Sequence, residues 1–166
     1  MLARLIVIVT AMLLADASEA QTINGALRGL TRVIINIDDL SPNATECGFT
    51  RERIREAIMF SLSSTKIDVV DLAVNTPFLF VLISSLRFQS PLPFCVSSLE
   101  VQVYAFGDVT LGFSNEKKRA KIELWHDGII FSSYQSDHTQ QMSETLEGRM
   151  KKFITDWNLD NKSSRK

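Results

Sequence analysis

Thr76-Pro77-Phe78-Leu79-Phe80-Val81-Leu82-Ile83 opens the stretch that decides the fold, and the stretch runs on to Gly112. Residues 78–86 are largely apolar. Gln89-Ser90-Pro91-Leu92-Pro93 is rich in turn formers, and Phe94-Cys95 starts a second run that alternates from Ser98 to Phe106. Two β-rich runs divided by proline and serine predict a long hairpin. The first run is apolar on both faces, as in a central strand covered on both sides. The second has one wet face: Leu99, Val101, Val103 and Ala105 point one way, and Ser98, Glu100, Gln102 and Tyr104 the other.

In the first run Phe78, Phe80 and Leu82 share one face, and Leu79, Val81 and Ile83 share the other. Only one of these sets can lie under helices. Burying a side chain of this size stabilises by roughly 1.5–3 kcal/mol, so three left in water make a costly patch. We assign Leu79, Val81 and Ile83 as the candidate interface, covered partly by the N-terminal lead-in and otherwise by a partner or a second copy.

Working outward, Val33, Ile35 and Ile37 alternate with polar or outward residues and predict a strand over residues 31–40. Ser41-Pro42-Asn43 is expected to end it. Cys47-Gly48-Phe49 leads into a helix capped by Thr50, with Glu52 in its first turn. Ile54, Ala57, Ile58 and Leu62 form its buried stripe, widened by Met59 and Phe60. Arg51, Arg53 and Arg55 read as a solvated surface. Ile67 and Val69 suggest a short strand. Beyond the hairpin, Ala120, Ile122 and Leu124 alternate, and Asp127-Gly128 predicts a tight turn. Residues 132–141 read as a polar loop. Ser143 is expected to cap a last helix whose apolar face is Leu146, Met150, Phe153, Ile154 and Trp157. Residues 159–166 read as a polar tail. The result is an α+β fold: a two-layer domain with a mostly antiparallel sheet and two amphipathic helices, in the order strand, helix, strands, helix.

Residues 1–20 read as a signal peptide. Arg4 precedes a ten-residue apolar core, Leu5 to Leu14, and Ser18-Glu19-Ala20 fits the small-x-small cleavage pattern. The core is shorter than the roughly 20 residues that span a bilayer. Residues 21–30 are then a flexible lead-in and residues 31–158 a single domain. Removing the leader leaves 17 basic and 17 acidic side chains. That balance argues against nucleic acid as a partner and against strong attraction to a membrane surface. No later apolar run reaches membrane-spanning length. Two cysteines, Cys47 and Cys95, in an exported chain read as one disulfide; the alternative is two buried free thiols. Asn43-Ala44-Thr45 and Asn161-Lys162-Ser163 are formal glycosylation sequons.

Chemistry-bearing patterns are sparse. The sequence has no Gly-x-Ser-x-Gly, no phosphate-binding loop and no dinucleotide fingerprint. His126 and His138 lack a second histidine at ligand spacing and read as surface residues. Asp38 and Asp39 point to opposite faces of a strand. Trp125 and Tyr104 read as cross-strand packing. No catalytic residue, cofactor or metal is expected.

Glu46-Cys47-Gly48-Phe49-Thr50, Pro77-Phe78-Leu79-Phe80-Val81, Cys95-Val96 and Phe153-Ile154-Thr155-Asp156-Trp157 give the chain a likeness to a wider group. It resembles small exported proteins of proteobacteria with a cysteine before the first helix, a second opening a later strand, and a closing amphipathic helix. The resemblance covers most of the chain after the leader. It implies a periplasmic or secreted location and a Cys47–Cys95 bond, and it brings no activity. A further architectural similarity is to strand–helix–sheet domains of envelope accessory proteins. The expected function is a non-enzymatic exported accessory module that binds another envelope or secreted protein, with a homo-oligomer as one form. The competing expectations are a carrier of a small apolar ligand between sheet and helices, and an enzyme of unrecognised class.

Overall fold

The computed structural model describes residues 25–89, 92–113 and 116–162. The leader at residues 1–20 lies outside these. In chain order the elements are β1 (Arg32–Ile37), α1 (Pro42–Glu46), α2 (Arg51–Leu62), β2 (Asp68–Val69), β3 (Phe78–Phe88), β4 (Phe94–Thr110), β5 (Lys117–Tyr134) and α3 (Gln135–Lys162). The sheet order is β2-β1-β3-β4-β5. β1 is parallel to both neighbours, and β3, β4 and β5 form an antiparallel meander. The α+β class, the central hairpin and the mostly antiparallel sheet are those the sequence predicts.

Alternation decides which face is inside. Leu79, Val81 and Ile83 on β3 are buried with Leu99, Val101 and Val103 on β4 and Trp125 on β5. The helical layer covers them with Ile54, Ile58 and Leu62 of α2 and Met142, Leu146, Met150, Phe153 and Trp157 of α3. Trp125 meets Phe153 edge-on at 5.3 Å and donates its indole N–H to Asp156 at 2.8 Å. The two sets on β3 are thus reversed from the assignment made above. Leu79, Val81 and Ile83 are core, and Phe78, Phe80 and Leu82 lie half-buried on the other face. The reason is register: Leu79 pairs with Val103 and Val81 with Val101, so the apolar face of the second strand fixes which face of the first goes in.

Other boundaries also move. Ser41 does not merely end β1. Its hydroxyl accepts from the Ala44 amide, and Pro42 at the first helical position starts α1. Met59 and Phe60 are exposed rather than part of the α2 stripe. Asp127-Gly128 is not a turn: β5 runs straight through it, with Asp127 opposite Val101 and Gly128 opposite Glu100. The Asp127 carboxylate points inward and is satisfied from α3 by Arg149 at 2.8 Å and Lys152 at 3.0 Å. The expected loop at residues 132–141 is the end of β5 and the first turns of α3, so Ser143 lies inside the helix and bonds back to the Thr139 carbonyl.

Residues 25–30 of the expected lead-in and the end of α3, read as the start of the polar tail, hold each other. Asp160 accepts the amides of Gly25 and Leu27, and Asn161 bridges the Gly29 amide and the Leu27 carbonyl. Trp157 donates its indole N–H to the Leu30 carbonyl. Leu27 and Leu30 thereby join the core on the helical side, so the described part of the lead-in, residues 25–30, does not cover the other face of the sheet. Asn161, read as a sequon, has its side chain engaged in the fold.

Candidate functional site

The outer face of the sheet has no second layer over it among the described residues. Strand alternation places Phe78, Phe80, Leu82, Leu86 and Phe88 there from β3. Cross-strand pairing then fixes what lies beside them. Phe78 stands opposite Tyr104, Leu86 opposite Val96, and Phe88 opposite Phe94, which pairs in turn with Tyr134.

Two apolar patches result. At one end Phe78 stacks on Tyr104 at 5.2 Å, and Phe106 meets both rings edge-on at 6.2 and 5.7 Å. Phe80 meets Tyr104 edge-on at 6.1 Å. The Lys121 ammonium sits 4.1 Å from the centre of the Tyr104 ring and bonds to Gln102 at 3.2 Å, a cation–π placement that leaves the lysine at the rim. Phe106 is 47% exposed. At the other end Leu86 and Phe88 are 61% and 51% exposed, and Phe94 meets Tyr134 edge-on at 6.0 Å. A hollow of about 450 Å³ lined by Leu92, Pro93, Tyr134, Gln135 and Ser136 opens beside this second patch. Between the patches runs a polar row that includes Glu100, Gln102 and His126. His126 Nε2 lies 3.8 Å from Glu100, too far for a hydrogen bond.

The inner layer carries a second feature. Cys47 and Cys95 form a disulfide with Cα atoms 6.1 Å apart, tying the end of α1 to the start of β4. Gly48 follows at φ +94°, and a Cβ there would overlap Thr139 Oγ1, so glycine is needed for the chain to leave the bond toward Phe49. His138 is not a surface residue. It is fully buried between Phe131, stacked at 5.0 Å, and Phe49 at 5.5 Å. Its Nε2 contacts Ser97 Oγ at 2.8 Å and its Nδ1 contacts Ser133 Oγ at 2.7 Å, while Ser97 also bonds to Ser85 at 2.7 Å. Burial holds its pKa below the ordinary histidine value, so the ring is neutral at neutral pH. A spacing of four residues leads back from Leu146 through Met142 to His138, a signal present in the sequence that places this histidine on the buried stripe.

The remaining sequence candidates are structural. Arg51 pairs with Asp39 at 2.6 Å, Arg55 with Asp71 at 3.2 Å, and Arg87 with Glu46 at 2.7 Å. Trp125 is core. No helix among the described residues is long and apolar enough to cross a membrane.

No family model matches the chain, and no curated protein matches it. Among solved structures, a minor lipoprotein from Acinetobacter baumannii is similar at a TM-score of 0.40 and 8% identity, over 80% of this chain and 92% of that one. A likeness of that size carries no argument about role.

Proposed function

We propose that this chain is a non-enzymatic exported envelope module that binds another protein through the outer face of its sheet. The observation that carries the reading is the pair of apolar patches around Phe106 and around Leu86 and Phe88, left half-exposed beside a fully covered inner face. Contiguous exposed apolar surface of this kind marks interaction sites. The disulfide supports an oxidising compartment, as does the leader pattern at residues 1–20. A partner with an apolar strand or helix face fits the two patches, and the polar row of Glu100 and Gln102 between them, with Lys121 at the rim, sets its register. The carrier reading has less behind it, because Trp125, Phe49, Phe153, Met142 and Leu146 fill the space between sheet and helices.

Capture from envelope extract, run in parallel with three folded variants, tests this. Phe106→Asp and Leu86→Asp should each lose the captured protein, whereas Phe60→Asp, on the exposed side of α2, should keep it. Sedimentation of the purified protein distinguishes a second copy from a different partner. Equal capture by all three variants would overturn the reading.

A further inference from the structure

We infer that reduction of the Cys47–Cys95 disulfide opens a buried zinc site made of the two cysteine thiolates and His138. One donor atom from each residue lies within 4.8 Å of the others, and all three residues are fully buried. The placement follows from register. Ser133 stands directly opposite Cys95, and Ser97 lies two residues along the same strand on the same face. Both serines hold the imidazole of His138, so the ring is suspended over Cys95.

The chemistry of the donors selects the ion. A dithiol reductant exchanges with the bridge and is itself oxidised to a disulfide, passing on two electrons and two protons, so that Cys47 and Cys95 become two thiols. A divalent ion then displaces those two protons and binds two thiolates. Two thiolates and Zn²⁺ sum to zero charge, which a dry interior accepts, whereas two bare thiolates would be costly there. Thiolate and imidazole are ordinary zinc ligands, and the neutral ring of His138 needs no deprotonation before it binds. One ring nitrogen takes the ion while the other keeps its serine, which fixes the ring's orientation. The serine hydroxyl released by the first nitrogen sits beside the ion and supplies an oxygen toward a fourth position. In the oxidised protein the sulfurs are bonded to each other and the site is closed. The bond therefore acts as a gate on metal binding.

The test uses the purified protein, anaerobic and reduced with a phosphine, titrated with Zn²⁺ in competition with a chromophoric chelator, and with Co²⁺ as a spectroscopic probe. The reduced protein should bind one ion per chain and show thiolate-to-cobalt charge transfer. The oxidised protein should bind none at this site. Metal should also raise the melting temperature of the reduced protein. His138→Gln, with both cysteines kept, should weaken the reduced protein's affinity at least about tenfold, the scale seen even for losses around a metal ligand. If reduction loosens the fold, added Zn²⁺ should restore the circular dichroism of the native-sequence protein and not that of His138→Gln. Equal affinity in the two proteins, or one ion shared by two chains, would overturn the inference.

Discussion

On the inner face of the sheet, Leu79, Val81 and Ile83 are sealed in the core beneath the helical layer; on the other face of the same strand, Phe80 and Leu82 stand half-buried, and Leu86 and Phe88 stand mostly in water. The two faces are of similar composition on β3, so composition alone does not explain the difference. Their neighbours do. The inner residues face Leu99, Val101 and Val103 without a break, with Trp125 beyond them, whereas on the outer face Phe80 and Leu82 face Gln102 and Glu100, which divide Phe78 opposite Tyr104 from Leu86 and Phe88 opposite Val96 and Phe94. An unbroken run of apolar partners gives the inner face one stripe that a single layer of helices covers, whereas Gln102 and Glu100 interrupt the apolar partners of the outer face. Where the partners are mixed, aromatic rings cover one another instead, as Phe78, Tyr104 and Phe106 do. The outer face is thus left with packing of its own and with area to spare.

The strongest break of this comparison is a charge on the inner face. Val81→Asp would bury a carboxylate without a partner beneath the helical layer, and the loss should exceed about 4 kcal/mol, enough to unfold the protein. Circular dichroism and a denaturant titration check this. A folded, stable Val81→Asp protein would mean that the helical layer does not seal the sheet.

A smaller loss should follow from cutting the staple between the layers. The Cys47–Cys95 bond closes a loop with a sequence separation of 48 residues, for which the chain-entropy model gives about 4 kcal/mol. Replacing both cysteines with alanine should lower stability by about 2–5 kcal/mol. Denaturant midpoints of the oxidised native-sequence protein and the double variant measure it. A change below about 1 kcal/mol would show that packing of Phe49 and His138 alone holds α1 to β4.

The same contrast explains what the sequence made legible. β3 and β4 could be read because their periodicity is local and strong. The bond between the two cysteines could be read because a pair of cysteines behind a leader-like stretch reads as a disulfide. The inside–outside choice on β3 could not be read from β3 itself, since both of its faces are apolar; it lies in the pairing with β4. Asp127-Gly128 misled for a related reason. An inward aspartate in mid-strand is tolerable only with Arg149 and Lys152 above it, and they lie a helix away in the chain. Residues 25–30 and 159–162 each look unstructured in sequence. What ties them together is Asp160 and Asn161 meeting the amides of Gly25, Leu27 and Gly29. The outer-face site was half visible: the rings of β3 were plain, but the patch exists only because Tyr104, Phe106 and Tyr134 arrive from other strands.

The smallest effect on stability belongs to the outer face, and its smallness is the sharpest test of the comparison. Leu86 is 61% exposed and pairs with Val96, whereas Ile83, three residues before it, is buried opposite Leu99. Truncating each to serine removes a similar apolar side chain and leaves a hydroxyl. At Ile83 the change leaves a cavity and a buried polar group, so it should cost at least about 2–5 kcal/mol. At Leu86 water already reaches most of the side chain, and the hydroxyl is solvated, so the change should fall within about 0.5 kcal/mol of zero. Denaturant midpoints for the two variants give the ratio directly. A large loss at Leu86 would mean that the outer face is covered in the native protein, and in a concentration-dependent unfolding experiment that cover would reveal itself as a second copy of the chain. A loss independent of concentration would instead locate the cover within the chain, and the binding role of this face would go with it.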